Sequence, residues 1–597
     1  MRALFLRLAL LGILTSCLPA AEPSPLPYRF LIVIGDQWKD PSSRLIEAGG
    51  EFPALVTLFK TWGLPFDILR LDQQRFDRYY LMDRDGRPRY GTIVWDAAGE
   101  LEVPGERRLL TTLVQDHGVG LVALGDAVAN PEVAALAGLG HAGADGSAAG
   151  LAWTGGHFIT REFAGREGEL AGAATPGSRV STHGASAVAT RDSHPFLTVR
   201  DVGKGGRVAW LDAHRDTARF GSQLLRDLFK RSLVWTQGYA LYAEYPRSVM
   251  LFMDDIGTSD RTYLPYWHYR TLNEDDIRRG IIEPLKRHGA TLMMDIITGY
   301  VDRRTHRILN PWRQQVIDEL DGQTFHDYVS AKRGLDAGRD EGVLEIQCHG
   351  YTHMLPDLES PPGPFRNVPV GVGAIKGFDE EFGDNLRKKD VPAITQRFLM
   401  ERGIENLRED FGVVPLFVIN GGGGKSLSYP HHSARLAAEM GFGLGHFNAV
   451  WYLGGDFALA MEQIVFRRSW AHDKPLPAAD IPWTIDAPQS IVFHDRDVSI
   501  DPTAVERLLA NLGPETRYVS ANEYSGYLHA RIARAPGEEP ALTIDYDDHY
   551  CRHFANHPSK WVVHLSDDIR LSLPTAVPEK RTVTIPKGTG RHLVRLD

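Results

Sequence analysis

Three short segments carry side chains suited to hydrolytic chemistry, and each follows an apolar run. Residues 249–257 read VMLFMDDIG, so an apolar stretch leads directly into Asp254 and Asp255. Adjacent carboxylates inside a regular strand point to opposite faces. Both serve one cavity only where the backbone curls at the strand's end. Their mutual repulsion then requires a cation between them or a proton on one of them. Residues 343–354 read VLEIQCHGYTHM and place His349 and His353 on one side of a helical turn. That spacing chelates zinc, and one oxygen ligand from elsewhere leaves an open position for water. Residues 490–497, SIVFHDRD, end a third run in His494. An imidazole exchanges its proton near neutral pH, which makes His494 a candidate general acid. Asp486 and Asp495 are the local carboxylates able to keep it protonated. Each segment alone also reads as a solvated or backbone-bonded polar cluster. With 23 histidines in the chain, chance spacings arise, and the shared position after an apolar run sets these apart.

Those runs must be strands for the side chains to meet. Within 246–532 the sequence predicts strands at 249–253, 291–297, 343–347, 415–419 and 490–493, with weaker candidates at 441–447 and 463–467. Helical patterns separate them, which gives a deformed (β/α) barrel whose active groups collect at the strands' C-terminal ends. Before it, 28–240 alternates strands at 30–34, 66–71, 91–95, 120–124 and 207–212 with helices near 53–62, 107–117 and 222–236. This is the pattern of a doubly wound, flavodoxin-like α/β sheet. It resembles class I glutamine-amidotransferase-like domains, but the candidate nucleophile elbow reads Leu124-Gly125-Asp126-Ala127 and the segment holds no cysteine. That chemistry is excluded, leaving a glycan-binding or packing role. After it, 540–597 switches to short alternating runs at 561–565 and 582–585, predicting a small β-sandwich-like domain. On a strand His549, Cys551 and His553 would share one face, and they read as a C-terminal surface cluster in preference to a second zinc site.

Composition narrows the classes further. The 597 residues are 43% hydrophobic and 24% charged, which are globular values. Lys and Arg number 66 against 76 Asp and Glu, a net charge of −10 with no basic stripe, so nucleic acid is not an expected partner. The 3 cysteines exclude a disulfide scaffold. Residues 1–17 read MRALFLRLALLGILTSC, a basic start and a short apolar run of signal-peptide type. Leu14-Thr15-Ser16-Cys17 resembles a lipobox, which makes Cys17 the expected lipid anchor of an exported cell-envelope lipoprotein, with a secreted or periplasmic soluble form as the alternative.

Together the three motifs resemble the polysaccharide deacetylase superfamily, the NodB-homology fold shared with carbohydrate esterase family 4. The HGYTH wording of 349–353 is similar to an uncharacterised bacterial branch, and 518–528, YVSANEYSGYL, looks like the strand and helix that end such domains. The resemblance covers 246–532. It implies Asp254 as base, Asp255, His349 and His353 as ligands of a divalent metal, zinc above all, and His494 as acid. It further implies hydrolytic N-deacetylation of an extracytoplasmic N-acetylated polysaccharide, with acetate released. The family's third motif, an Arg with a Pro-Pro-Tyr run, is absent. The chain instead reads Phe417-Val418-Ile419-Asn420 followed by Gly421 to Gly424, so Asn420 or the Gly421 N–H is the expected oxyanion or substrate contact. Trp483-Thr484-Ile485-Asp486 stands in place of the fourth motif, and an insertion is expected near 302–341. The competing readings are an inactive glycan-binding lipoprotein and another metal-dependent amide or ester hydrolase.

Overall fold

A computed structural model describes residues 25–597 apart from 36–44, 48–50, 100, 102, 146–150, 155, 164–176, 214–219, 258–268, 303–304, 306, 318–321, 357–379, 385–387, 447–448, 454–455, 461–466, 472, 474–477 and 538–540. The leader 1–17 and Cys17 lie outside the described residues. None of the described helices is long and apolar enough to cross a membrane.

The first sheet is built on β1 (Phe30–Ile34), whose five residues FLIVI are all buried. Phe30, Ile32 and Ile34 face Leu58, Phe59 and Trp62 of α1 (Glu51–Trp62). Leu31 and Val33 face the opposite way, into a second cluster. Side chains alternate across a strand, so an unbroken apolar run needs a covering layer on each face. The neighbours follow as β2 (Phe66–Arg70), β3 (Thr92–Asp96), α2 (Pro104–Thr111), β4 (Gly120–Leu124) and α3 (Pro131–Ala137). Leu110 of α2 and Val133 and Leu136 of α3 cover the second face. Then come β5 (Leu151–Trp153), β6 (Ser186–Arg191), β7 (His194–Val202), β8 (Gly206–Leu211) and α4 (Gln223–Gln237), which packs beside α1 through Leu224, Leu228 and Phe229. The strand order is β2-β1-β3-β4-β8-β7-β6-β5. Pairing is parallel from β2 to β8 and antiparallel beyond.

After the short β9 (Tyr239–Tyr242), the larger sheet begins with β10 (Ser248–Ile256). It continues through β11 (Leu292–Ile296), α5 (Tyr328–Asp340), β12 (Leu344–Cys348), α6 (Ala393–Phe411), β13 (Phe417–Val418), β14 (Leu444–Gly445), β15 (Ala449–Leu453), β16 (Asp456–Ala460), β17 (Arg467–Ser469) and β18 (Gln489–His494). Its order runs β15-β16-β14-β13-β12-β11-β10-β18-β17, with a short strand, Leu45–Glu47, at the β15 edge. Pairing is parallel from β17 to β16. The sheet is a curled parallel half-barrel, compatible with a NodB-like fold. Among the described strands the β17 and Leu45–Glu47 edges do not pair with each other. Along β10, Val249, Leu251 and Met253 face the outer helices, and Met250 and Phe252 face inward with Phe417 and Val492. Between β11 and α5 lie two short antiparallel ribbons, Tyr300–Val301 with Ile308–Leu309 and Gln315–Ile317 with Phe325–Asp327.

The last strands divide between two small sheets. They are β19 (Arg531–Arg534), β20 (Ala541–Tyr546), β21 (Ser559–Leu565), β22 (Lys580–Ile585) and β23 (Gly590–Arg595). Their two sheets run β9-β21-β22 and β19-β20-β23. Each includes a strand that precedes residue 540, so the strands expected as a small β-sandwich over 540–597 pair into two sheets that also take β9 and β19.

Candidate metal centre and active site

β10 carries the two aspartates at its C-terminal end, and both are 5% exposed. Asp254 stays in strand register, opposite His494 of β18. By alternation from Phe252 it belongs to the inner face. Asp255 does not continue the alternation: its φ is +71°, a left-handed value uncommon for any residue but glycine. That rotation at the strand's end turns its carboxylate to the histidines. Asp255 Oδ1 lies 3.1 Å from His349 Nε2 and 3.3 Å from His353 Nε2, and Oδ2 lies 3.8 Å from His494 Nε2.

His349 and His353 follow β12 in a turn of bends, not a helix, and their rings meet edge-on with centroids 4.7 Å apart. The spacing therefore works through a loop in which His353 also takes a positive φ, +60°. His349 Nδ1 lies 3.4 Å from the Ile419 carbonyl, an acceptor that favours the tautomer leaving Nε2 free to bind a metal. Burial works to raise the Asp255 carboxyl, but the two imidazoles and then His494 overcome it and hold it well below the usual carboxylate range.

Asp255, His349 and His353 are all buried, and each offers a donor atom within 4.8 Å of the others. Donors on a tetrahedral zinc at about 2.0–2.1 Å are roughly 3.4 Å apart. The observed 3.1 and 3.3 Å match that spacing. Two imidazole nitrogens and one carboxylate oxygen are a donor set that zinc accepts, and other first-row ions as well. The residues fit a divalent metal. Among the described residues this is the only such group. At the C-terminal trio the surface reading is corrected for Cys551, which is buried with Sγ 3.5 Å from the Gly526 carbonyl, while His549 Nε2 lies 2.8 Å from that of Gly441.

The glycine run after β13 closes the site from the other side. Gly421 packs on the His353 ring so tightly that a Cβ there would lie 2.7 Å from its Cδ2. The neighbouring Gly422 N–H donates to His353 Nε2 at 3.1 Å. Asn420 is 3% exposed, and its Oδ1 accepts no hydrogen bond from the described residues. Of the three, Gly422 is the backbone donor that reaches the centre, and the sequence reading had stopped at Asn420 and Gly421.

Two expected carboxylates lie elsewhere. Asp486 is fully buried, but it accepts from Arg226 Nε at 2.7 Å, Lys230 Nζ at 2.6 Å and Trp62 Nε1 at 2.9 Å. It belongs to a seam with α1 and α4, not to the pair with His494. Asp495 accepts the Tyr269 hydroxyl. The carboxylate nearest the far side of His494 is Asp497, whose Oδ2 lies 4.0 Å from Nδ1 and accepts the His494 backbone N–H at 3.1 Å. A helix, α7 (Asp495–Ile500), begins directly after β18 and brings residue 497 back over residue 494.

Asp295 on β11 was also missed. It is fully buried against Asp254. Burial first, and then the Asp254 charge beside it, push its carboxyl well above the ordinary value. Its signal was present in TLMMDII, where a lone carboxylate interrupts a strand that is otherwise apolar but for Thr291.

No protein-family model matches the chain, and no curated protein matches it. Solved structures match parts of it. The family 4 carbohydrate esterase from Streptomyces lividans, solved with acetate, is 10% identical over 46% of this chain and 91% of its own, with a TM-score of 0.23. The CE4 domain of a multidomain xylanase from the hindgut metagenome of Trinervitermes trinervoides is 13% identical over 47% of this chain and 89% of its own, with a TM-score of 0.22. The β-galactosidase from Rahnella sp. R3 is 16% identical over 34% of this chain, which spans only 30% of that enzyme's length, with a TM-score of 0.24.

Proposed function

We propose that this protein is a metal-dependent hydrolase that removes acetyl groups from an N-acetylated polysaccharide outside the cytoplasm. One observation carries the reading: a buried Asp255 whose Oδ1 lies at zinc-like spacing from both His349 and His353, with Asp254 adjacent in the chain and His494 opposite Asp254 on the next strand. A metal or sugar site alone has no use for a second carboxylate and a partly exposed imidazole at its edge.

Asp255, His349 and His353 would hold the ion. When bound, a divalent metal polarises the substrate carbonyl and acidifies water. Asp254 accepts the proton of the attacking water, and it needs no rotation to do so because the strand fixes it on the inner face. The Gly422 N–H donates to His353 Nε2 in the metal-free site, and it would be released toward the developing oxyanion once that nitrogen holds the ion. His494 delivers a proton to the leaving nitrogen, and its 29% exposure gives it access to substrate and solvent. Acetate and a free amino sugar leave. Export rests on the 1–17 leader, and attachment to the envelope rests on Cys17.

The reading is tested by acetate release from N-acetylated oligosaccharides, measured beside model esters and peptides. Chelation must abolish release and zinc must restore it. Release insensitive to chelation, or confined to esters or peptides, rejects it.

A further inference from the structure

We infer that Glu381 is a positioning residue for the metal-binding loop, and that residues 380–383 tie this loop to the glycine run facing it. The inference rests on the reading of His349 and His353 as metal ligands. Glu381 lies far from both in sequence and is fully buried. Its Oε1 accepts from Thr352 N at 2.8 Å and Thr352 Oγ1 at 3.1 Å, and its Oε2 accepts from Tyr351 N at 3.0 Å. The loop from Gly350 to His353 begins at φ +83° and ends at φ +60°. A backbone bent this way cannot satisfy its N–H groups within a helix, and buried N–H groups require partners. Consecutive N–H groups turned inward form a concavity that takes an anion. Here that anion is the Glu381 carboxylate.

The approach has a steric condition. A Cβ on Gly350 would lie 1.8 Å from Glu381 Oε2, so only glycine admits the carboxylate. The residues beside Glu381 reach the opposite wall. Phe382 bridges Lys425, its carbonyl accepts Ser426 Oγ at 2.7 Å, and a Cβ on Gly424 would lie 2.3 Å from Glu380 Cβ. Gly421 and Gly422, which contact the His353 ring and Nε2, belong to the same run. One segment thus holds both structures between which His353 is placed. Partners that orient a metal ligand typically govern 10–100-fold in metal affinity.

The test is a zinc competition titration against a chromophoric chelator, using the full-length protein, with melting temperature recorded in parallel. Glu381→Ala is expected to weaken zinc binding by about 10–100-fold. Glu381→Gln keeps an acceptor for the Thr352 N–H and hydroxyl and is expected to recover most of it. Gly350→Ala, which displaces the carboxylate without removing it, is expected to resemble Glu381→Ala. In the cobalt-loaded protein the visible spectrum should change in Glu381→Ala and Gly350→Ala and return in Glu381→Gln. If the variants lower only the melting temperature while zinc affinity and the cobalt spectrum stay wild-type, the inference is wrong. Should Glu381→Ala fail to fold, wild-type affinity in Gly350→Ala is enough to overturn it. Glu381-dependent zinc binding without acetate release would reject the deacetylase reading and leave this inference standing. A wild-type protein that binds no metal rejects both.

Discussion

Asp254 and His494 stand opposite each other on adjacent parallel strands, β10 and β18. The backbone register of the sheet, not a loop, therefore fixes the distance between the proposed base and the proposed acid. Asp255, one residue on, breaks the strand's alternation by its left-handed φ and turns to the two histidines of the next loop but one. Base, ligand and acid are sorted by a single backbone rotation.

Asp254→Asn removes the proton acceptor and keeps its shape. Acetate release should fall by about 10²–10⁴-fold. Zinc affinity should hold, because Asp254 is not among the three donors. Kinetics and metal titration on the same preparation check the pair of outcomes.

Gly421→Ala places a methyl group 2.7 Å from the His353 ring. The ring or the glycine run must shift, and zinc affinity should drop by roughly 10-fold or more. The fold should survive, since the change affects a loop end. Titration and circular dichroism decide.

Asp486→Asn leaves Arg226 and Lys230 buried without their counter-charge. Breaking a buried ion pair from one side costs about 3–5 kcal/mol. Although burial works to raise it, Lys230 and then Arg226 hold this carboxyl below its ordinary value. The sign follows: its stabilisation is present above the normal carboxylate range and is lost as pH falls below it. Urea midpoints at neutral and acid pH should show a large gap between wild type and variant that narrows on acidification.

Asp295→Asn tests the buried carboxyl beside Asp254. Burial and then Asp254 raise its carboxyl. The stability tied to a raised group is complete below the unfolded value and lost as pH rises. Chelator-treated wild type should lose up to about 1.4 kcal/mol per pH unit from this group above pH 4. The Asn variant should lack that slope and be the more stable of the two near pH 8 in urea unfolding.

Cys17→Ala is expected to move the protein from the membrane fraction to the soluble exported fraction with acetate release unchanged. Fractionation and immunoblotting read it directly, and a variant that stays with the membrane rejects the anchor.

The strands were legible because apolar runs buried on both faces have little freedom to be anything else. This is why Asp254, Asp255, His349, His353 and His494 were grouped from sequence, and the structure brings the side chains of Asp255, His349, His353 and His494 together, with Asp254 in register with His494 on the neighbouring strand. Partners that arrive by tertiary approach left no local pattern. Glu381 comes from a distant segment, Gly422 contributes a backbone N–H with no side-chain signature, and Asp497 replaces Asp486 only because a helix starts immediately after β18. Asp486 looked like a site carboxylate by position, and its three cationic or N–H partners lie more than 250 residues away in the chain. Edge pairing was equally hidden. The edge of the half-barrel and one of the two C-terminal sheets depend on Leu45–Glu47 and β9 finding distant partners.

The central claim is amide hydrolysis at this metal site, and the most direct measurement counts both products. An N-acetylhexosamine oligosaccharide is incubated with zinc-loaded wild type and with Asp254→Asn, and acetate and free amine are quantified together. The account predicts equal amounts of the two from wild type and almost none from the variant. Acetate without matching amine, or equal release from both proteins, would contradict it.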